Sequence, residues 1–423
     1  MVTLPGNLKE AQQLDKNDPL SRFREHFVFP DAHNGQAPLY FAGHSLGLMP
    51  KKASQYVQQE LDAWGKYAVE GHFEGKNPWL PYHENITGSF ARLVGAKESE
   101  VVAMNTLTVN LHLLMVSFYR PTKERFKILI ENNSFPSDKY AVDSQARFHG
   151  FDPKEAIVEL KPSPGNLTVT ADEISDQIKK MGNSLALVML GNCNYLSGQK
   201  FDFKKITDSA QAVGAIAGFN LAHGAGNLNL KLHDDGVDFA VWCSYKYLNA
   251  GPGGIAGAFI HERHLGKKDI PRFEGWWGHN KTSRFKMGPD FDPLPTAEAW
   301  QLSNPPIWQL ASLRASMELF DEATISALRE RGDKLTAVFE GLIKTQLKDE
   351  VTVITPALPD RGSMLCLRFK KDPKIWTPKL RAKNVHVDFR EPDIIRATPA
   401  PLYNSYSDVF SLVETFKNIL GAE

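Results

Sequence analysis

The stretch Trp242-Cys-Ser-Tyr-Lys-Tyr-Leu-Asn-Ala-Gly-Pro-Gly-Gly254 joins two short apolar runs and carries one lysine, Lys246, between two tyrosines. The preceding run, Val237 to Cys243, reads as a buried strand because it is short and rich in large apolar side chains. A desolvated lysine at the end of such a strand has a lowered pKa, so its amine can react with a carbonyl group. The alternative is a lysine that extends from a strand end to water. This stretch alone does not separate the two interpretations.

Short apolar runs alternate with helical patterns through the middle of the chain. The strand-like runs cover 126–130, 185–190, 215–219, 237–243 and 255–260, and helical patterns cover 137–148, 171–181 and 203–213. Strands interleaved with helices at this spacing predict a mainly parallel sheet with helices on both faces. Ligands of such sheets bind beyond the carboxyl ends of the strands.

Polar residues collect in the loops that follow these strands. The loops are Phe135–Asp138, Asn192–Gly198, Asn220–His223 and Tyr245–Lys246. Upstream, small polar residues between 104 and 110 open an apolar helix expected over 111–118. Such a helix start either binds an anion through free N–H groups or is an ordinary cap.

The length of 423 residues predicts more than one domain. We expect an N-terminal arm over 1–48 with a helix at 19–25, a large α/β domain over 49–305 and a smaller α+β domain over 306–423. Strands are expected there at 351–354, 364–369 and 385–389.

Charge and cysteine content argue against several classes of protein. Lys+Arg and Asp+Glu both number 49, a formal net charge of +0, so nothing favours binding to nucleic acid or an acidic membrane. The three cysteines lack Cys-x-x-Cys spacing, so we expect neither a disulfide framework nor a metal site, and a reducing, cytoplasmic location fits. No apolar run approaches the length of a membrane span.

Five motifs together resemble one enzyme family. They are Met104-Asn-Thr-Leu-Thr-Val-Asn-Leu-His112, Phe135-Pro-Ser-Asp138, Cys243-Ser-Tyr-Lys-Tyr-Leu-Asn-Ala-Gly251, Ser303-Asn-Pro-Pro306 and Pro401-Leu-Tyr-Asn-Ser405. Over residues 40–406 the chain resembles kynureninase, a pyridoxal-phosphate (PLP) enzyme of fold type I.

The resemblance implies a reaction. PLP-dependent hydrolysis would cleave the Cβ–Cγ bond of L-kynurenine, of 3-hydroxykynurenine or of both. The products would be L-alanine and anthranilate or 3-hydroxyanthranilate. Such a reaction belongs to tryptophan catabolism through the kynurenine pathway and to NAD biosynthesis.

The resemblance also implies roles for individual residues around the cofactor. Lys246 would bind PLP covalently and later move the α-proton, while Tyr245 would contact the phosphate and serve as a proton donor. The other residues implied in cofactor binding are Leu107, Thr108, Phe135, Asp138, Asn220, His223, Trp276 and Asn304.

On the substrate side, the resemblance implies that Arg396 binds the α-carboxylate, a task suited to a planar guanidinium. Ser45, His72, Ser303 and Asn304 would line the aryl-ketone end. Trp276 and Asn304 lie in stretches that reach the neighbouring subunit's site in this family, so a homodimer is implied.

The chain departs from the family pattern close to the chemistry. Asn220 stands where the family has Asp, His44 where it has Asn and Gly191 where it has Ser. An amide cannot supply the charge that keeps a pyridine nitrogen protonated, so one alternative is a PLP-binding homologue with impaired turnover. A second alternative, a PLP lyase such as a cysteine desulfurase, needs a reactive cysteine on a mobile loop.

Overall fold

A computed structural model of the chain describes residues 3–32, 35–163, 166–371 and 373–421. Its strands are β1 (Phe27–Val28), β2 (Leu39–Tyr40), β3 (Met49–Pro50), β4 (Val101–Ala103), β5 (Lys127–Glu131), β6 (Ile157–Leu160), β7 (Leu185–Gly191), β8 (Ile216–Asn220), β9 (Phe239–Trp242), β10 (Gly257–Ile260), β11 (Val351–Val353), β12 (Leu365–Phe369), β13 (Val385–His386), β14 (Asp388–Arg390) and β15 (Ile394–Ala397). Its α-helices are α1 (Leu8–Lys16), α2 (Lys51–Tyr67), α3 (Glu84–Val94), α4 (Leu107–Phe118), α5 (Pro136–Phe148), α6 (Pro153–Ala156), α7 (Ala171–Met181), α8 (Phe203–Ala212), α9 (Ile307–Ala323), α10 (Ile325–Gln346), α11 (Trp376–Ala382) and α12 (Tyr406–Gly421).

The central sheet has seven strands in the order β4-β10-β9-β8-β7-β5-β6. The pairs from β9 to β6 are parallel, and β10 runs antiparallel to both β9 and β4. The predicted mainly parallel α/β sheet is therefore confirmed. The sequence did not reveal β4, which has only three residues, or β6, whose short apolar run is interrupted by Glu159.

The sheet is covered on both faces, as its side-chain alternation shows. In β9, Phe239 and Val241 belong to one apolar cluster, whereas Ala240 and Trp242 belong to another on the opposite face. Helix α9, which opens the region predicted as the small domain, adds residues such as Leu313 to the cluster around Trp242. The domain boundary at 305/306 stays a prediction.

A second sheet, in the order β11-β12-β15-β14, is antiparallel throughout and forms the C-terminal α+β region. Its core cluster also takes in Ala11 of α1 and Phe41, so the N-terminal segment packs against this region. The single strand expected over 385–389 is wrong: β13 pairs in parallel with β2, and β14 joins the second sheet.

The N-terminal segment also differs from expectation. Its α-helix covers Leu8–Lys16, capped by Asn7, whose side chain accepts a hydrogen bond from the backbone of Glu10. The helix expected at 19–25 is instead a 3₁₀-helix at Ser21–His26. Among the described residues, no helix is long and apolar enough to cross a membrane.

Candidate active site

The polar loops predicted to converge do meet, in a cavity beyond the carboxyl ends of the parallel strands. The loops after β5, β7, β8 and β9 and the start of α4 all contribute to its wall. The lining residues are Leu107, Thr108, Glu131, Phe135, Ser137, Asp138, Gly191, Cys193, Tyr195, Asn220, Ala222, His223, Tyr245 and Lys246.

The wall formed by α4 presents hydrogen-bond donors to the cavity. The helix begins at Leu107, four residues before the expected start, so Leu107 and Thr108 occupy its first turn. Backbone N–H groups of a first turn have no partner within the helix, and they favour an anion. The hydroxyl of Thr108 lies 2.9 Å from that of Ser137 on α5, which adds a second polar group beside it.

Lys246 lies in the cavity, four residues after β9 ends. Its Nζ is 3.4 Å from Nε2 of His223 and 5.9 Å from the ring centroid of Phe135. Burial lowers the pKa of Lys246, and the charge of Arg396 lowers it further. A neutral amine is therefore accessible at a pH where an ordinary lysine stays charged.

His223 is buried beside Lys246 and stays neutral. Burial first, and then the charge of Lys246, hold its pKa well below the ordinary range. Its Nδ1 lies 3.4 Å from the hydroxyl of Tyr247, whose ring meets the imidazole edge-on. His223 can therefore accept a hydrogen bond from the Lys246 amine without competing for positive charge.

Asp138 and Asn220 form a pair at the base of the cavity. The amide nitrogen of Asn220 donates to both carboxylate oxygens of Asp138, at 2.9 and 2.8 Å. The amide oxygen accepts the backbone N–H of Ala222 at 2.8 Å, so the amide orientation is determined. Burial raises the pKa of Asp138 to about 6, although the Asn220 hydrogen bond and Lys246 lower it. Asp138 is thus mainly ionised at neutral pH.

Arg396 projects from β15 close to the loop after β7. One terminal nitrogen donates to the carbonyl of Tyr195 at 2.7 Å, and the other is paired with Asp388. Its Nε is buried and has no hydrogen-bond partner among the described residues. The guanidinium is thus fixed through both terminal nitrogens, and its Nε–H is available to a ligand.

Asp388 and His44 complete the surroundings of Arg396, and sequence reasoning gave neither of them a role there. Burial raises the pKa of Asp388, but the neighbouring His44 and Arg396 hold it well below the usual range. Burial, assisted by Arg396, lowers the pKa of His44 to about 4, so this imidazole is neutral. Asp388 is therefore the counter-ion that allows Arg396 to be buried.

Known proteins resemble this chain over almost its full length. It is 57% identical over 408 residues to a kynureninase of Myxococcus xanthus (strain DK1622), covering 96% of each chain. It is 52% identical over 407 residues to a kynureninase of Koribacter versatilis (strain Ellin345), again covering 96% of each. Residues 328–416 match the family described as Kynureninase C-terminal domain.

This chain belongs to the kynureninase family.

Solved structures share the fold at much lower identity. A cysteine desulfurase from Thermococcus onnurineus NA1 matches with a TM-score of 0.74 and 16% identity, covering 100% of both chains. A C-DES variant with glycine covalently linked to its PLP cofactor matches with a TM-score of 0.75 and 15% identity, covering 90% of this chain and 96% of that one. These likenesses confirm the predicted type I fold of PLP enzymes and say nothing further about activity.

The cavity of this kynureninase-family chain fits PLP. A half-buried amine with a lowered pKa is available for the aldehyde, and free N–H groups at α4 are available for the phosphate. At the base, the amide of Asn220 donates to both oxygens of the ionised Asp138. Each oxygen can accept a further hydrogen bond, and a protonated ring nitrogen could donate it.

Six residues that the family resemblance singles out do not line this cavity. One of them, Arg396, contacts the cavity residue Tyr195, and the other five make no such contact in the described structure. Ser45, Ser303 and Asn304 are exposed, His72 contacts the backbone of Val69 near the surface, and Trp276 is 41% exposed. Their roles stay predictions. Sequence reasoning assigned no role to three cavity residues, Glu131, Ser137 and Tyr195. The position of Glu131 at the end of a buried strand was the signal that could have found it.

The thiols do not support the cysteine desulfurase alternative. All three cysteines are buried, and burial raises the pKa of Cys193 and of Cys366 to about 12. Burial also raises the pKa of Cys243. A reactive cysteine needs an exposed, readily ionised thiol, and none of the three provides one.

Proposed function

We propose that this protein is a kynureninase that uses PLP to hydrolyse the Cβ–Cγ bond of L-kynurenine, of 3-hydroxykynurenine or of both. The products are L-alanine and the corresponding anthranilate, within tryptophan catabolism. The observation that carries the proposal is that half-buried Lys246 lines the same cavity as the donor-rich start of α4 and the carboxylate of Asp138.

When bound, PLP supplies an electron sink conjugated to the substrate's amino group. Lys246 is the residue that would attach it, since its Nζ is the half-buried amine of the cavity and its pKa is lowered. The same amine, once released, is placed to take the α-proton as a general base. Neutral His223, at 3.4 Å, orients the amine by accepting a hydrogen bond.

The phosphate would bind at the opposite wall. Leu107 and Thr108 offer first-turn N–H groups, and the hydroxyls of Thr108 and Ser137 lie 2.9 Å apart beside them. Tyr245 also lines this cavity, and burial raises the pKa of its phenol to about 12. A phenol that stays protonated can donate a hydrogen bond to the phosphate and a proton to the substrate.

Asp138 would supply the negative charge beside the ring nitrogen. The amide that replaces a carboxylate at position 220 does not leave the cavity without an anion, because Asn220 holds the carboxylate of Asp138 by two contacts. The alternative of impaired turnover rested on the amide at position 220, and the pairing of Asn220 with Asp138 does not support that alternative. Phe135, whose ring lies edge-on to Tyr195, would pack against the cofactor ring.

Arg396 would bind the α-carboxylate of the substrate. It is 2% exposed, and its Nε has no hydrogen-bond partner in the part of the chain that the structure describes. An arginine fixed by Tyr195 and Asp388 meets a carboxylate with little loss of side-chain freedom.

A homodimer would complete the aryl end of the site. Trp64 and Trp308 are 55% and 48% exposed and face each other at 5.8 Å, and Trp276 packs edge-on against exposed Phe285. Exposed aromatic side chains in such clusters are typical of surfaces that bind another protein chain. We infer that a second copy covers them and brings Trp276, Ser303 and Asn304 to its partner's cavity. The three free cysteines fit a cytoplasmic enzyme.

The proposed function is tested by product analysis. Purified protein supplied with PLP should release anthranilate and L-alanine from L-kynurenine in equal amounts, and 3-hydroxykynurenine should be compared in parallel. Release of hydrogen sulfide or elemental sulfur from cysteine, without anthranilate from kynurenine, would overturn the proposal in favour of a lyase.

A further inference from the structure

Glu131 is a buried carboxyl group of the cavity that the proposed reaction does not use. It ends β5, and its two oxygens accept donors from the last residue of β7 and from the loop that follows it. Oε1 accepts the backbone N–H of Gly191 at 3.1 Å, and Oε2 accepts the side-chain amide of Asn194 at 2.6 Å. Burial raises the pKa of Glu131 to about 7, while the Asn194 and Gly191 hydrogen bonds lower it. The two hydrogen bonds therefore favour the charged carboxylate and oppose the effect of burial.

Asn194 passes this restraint on to the rest of its loop. Its amide oxygen accepts the backbone N–H groups of Leu196 and Ser197, at 2.9 and 2.8 Å. The amide nitrogen must therefore face Glu131, and the turn closes around Tyr195. The carbonyl oxygen of Tyr195 then accepts a hydrogen bond from Nη1 of Arg396 at 2.7 Å.

Gly191 makes room for this arrangement. A Cβ at this position would lie 2.6 Å from Oε1 of Glu131, closer than real atoms approach, so a side chain here would displace the carboxyl group. Gly191, which departs from the family pattern, thus leaves the space in which the carboxyl group of Glu131 accepts the Gly191 backbone N–H.

We propose that Glu131 is a positioning residue that holds the Asn194 turn, so that the Tyr195 carbonyl keeps Arg396 aimed at the substrate's α-carboxylate. This inference rests on the proposed function, since it deepens the role given there to Arg396. Its consequence is selective: ligands that carry an α-carboxylate depend on Glu131, and an aryl carboxylate bound at the other end does not.

The experiment reverses the direction of one hydrogen bond in the holoenzyme. In Glu131→Gln, one oxygen still accepts the Gly191 N–H, but the new amide meets the amide of Asn194 donor to donor. In the double variant Glu131→Gln/Asn194→Asp, the glutamine amide donates to the new carboxylate, which still accepts the turn N–H groups. The matched control is Glu155→Gln on α6, an exposed carboxyl that does not line the cavity.

The readouts are KM and kcat for kynurenine, inhibition constants for L-alanine and for anthranilate, and bound PLP. We expect Glu131→Gln to raise KM for kynurenine and the inhibition constant for L-alanine about tenfold, as for one lost hydrogen bond to a charged group. The kcat and the inhibition constant for anthranilate should stay unchanged. The double variant should return both to near the parent values. If Glu131→Gln does not fold, the double variant alone provides the test. A raised inhibition constant for L-alanine in the double variant then overturns the inference.

Two further outcomes separate this inference from the proposed function. An active parent in which Arg396→Gln weakens alanine binding, while Glu131→Gln does not, overturns the role of Glu131 alone. Weaker binding of alanine and anthranilate by equal factors in Glu131→Gln also overturns it, because a general structural effect explains that result. A parent that releases no anthranilate overturns the proposed function instead.

Discussion

The amide of Asn220 is oriented by its neighbours, because its oxygen accepts the Ala222 N–H and its nitrogen must then face Asp138. Position 220 read alone indicates a missing charge. Together with its contact to Asp138, it indicates that the negative charge is carried by Asp138 instead. A pattern along the chain cannot show this, since the two residues are separated by 82 positions.

A charge swap tests this account. Asp138→Asn should lower kcat for kynurenine by one to two decades, since a charge-assisted hydrogen bond is worth roughly 1.5–3 kcal/mol. Adding Asn220→Asp to that variant returns a carboxylate to the pair and should recover most of the loss, with PLP content measured throughout by absorbance. A double variant as slow as Asp138→Asn would show that the carboxylate must come from position 138 or that neither residue serves the ring.

Arg396 gives a second prediction at this scale. Arg396→Gln should reduce kcat/KM for kynurenine by the equivalent of roughly 2–5 kcal/mol, mostly through KM, because a buried charged partner of the carboxylate is lost. Arg390→Gln is the control: Arg390 also contacts Asp388, at 3.1 Å, but its side chain is 38% exposed, so the effect should be small. Equal effects of the two changes would place the carboxylate elsewhere.

Motifs in the sequence led to residues that line the cavity, among them Lys246, Asp138, Asn220 and His223, and their roles stay predictions. Residues that only contacts reveal were missed. Glu131 escaped notice because it reads as the polar end of an apolar strand. Asp388 escaped notice because the bend that separates β13 from β14, and so brings it to Arg396, has no signal in the local sequence.

At the scale of elements, the start of α4 decides how the cavity binds an anion. The sequence predicted a start at 111, because the small polar residues between 104 and 110 interrupt the apolar run. The structure adds a full turn, which moves the free N–H groups to Leu107 and Thr108. The apolar runs located the longer strands and helices to within a few residues, and element ends of this kind were the main errors.

Thr108→Val tests the anion site. The change keeps the side-chain shape but removes the hydroxyl beside Ser137, so the dissociation constant for PLP, measured by fluorescence titration of apoprotein, should rise about five- to tenfold. Thr106→Val is the control, since the side chain of this cap residue makes no cap hydrogen bond within the described residues. The assignment fails if both variants bind PLP as the parent does.

At the scale of the whole molecule, the sheet, its covering helices and the C-terminal α+β region followed from the spacing of apolar runs. The contact of the N-terminal segment with the C-terminal core did not, because Ala11 and Phe41 reach that core over more than 290 positions, a separation no local pattern reports. A surface that binds a second protein chain likewise gives no local signal in the sequence.

The exposed tryptophans predict the oligomeric state. Sedimentation velocity at micromolar concentration should show a dimer, and Trp308→Ser should shift it towards monomer, because a large aromatic contact is lost from the interface. Phe148→Ser, which changes a 78% exposed ring at the end of α5, should leave the dimer intact. A monomeric parent would rule out a site shared between subunits.

We expect Lys246 to be the residue that binds PLP in this kynureninase-family cavity. The direct measurement is borohydride reduction of the holoprotein, followed by proteolysis and mass spectrometry of the labelled peptide. We predict one pyridoxyl group per chain, attached to Lys246, and loss of that label in Lys246→Ala together with loss of anthranilate release. A label on another lysine, or an unchanged label and unchanged product release in Lys246→Ala, would contradict the account.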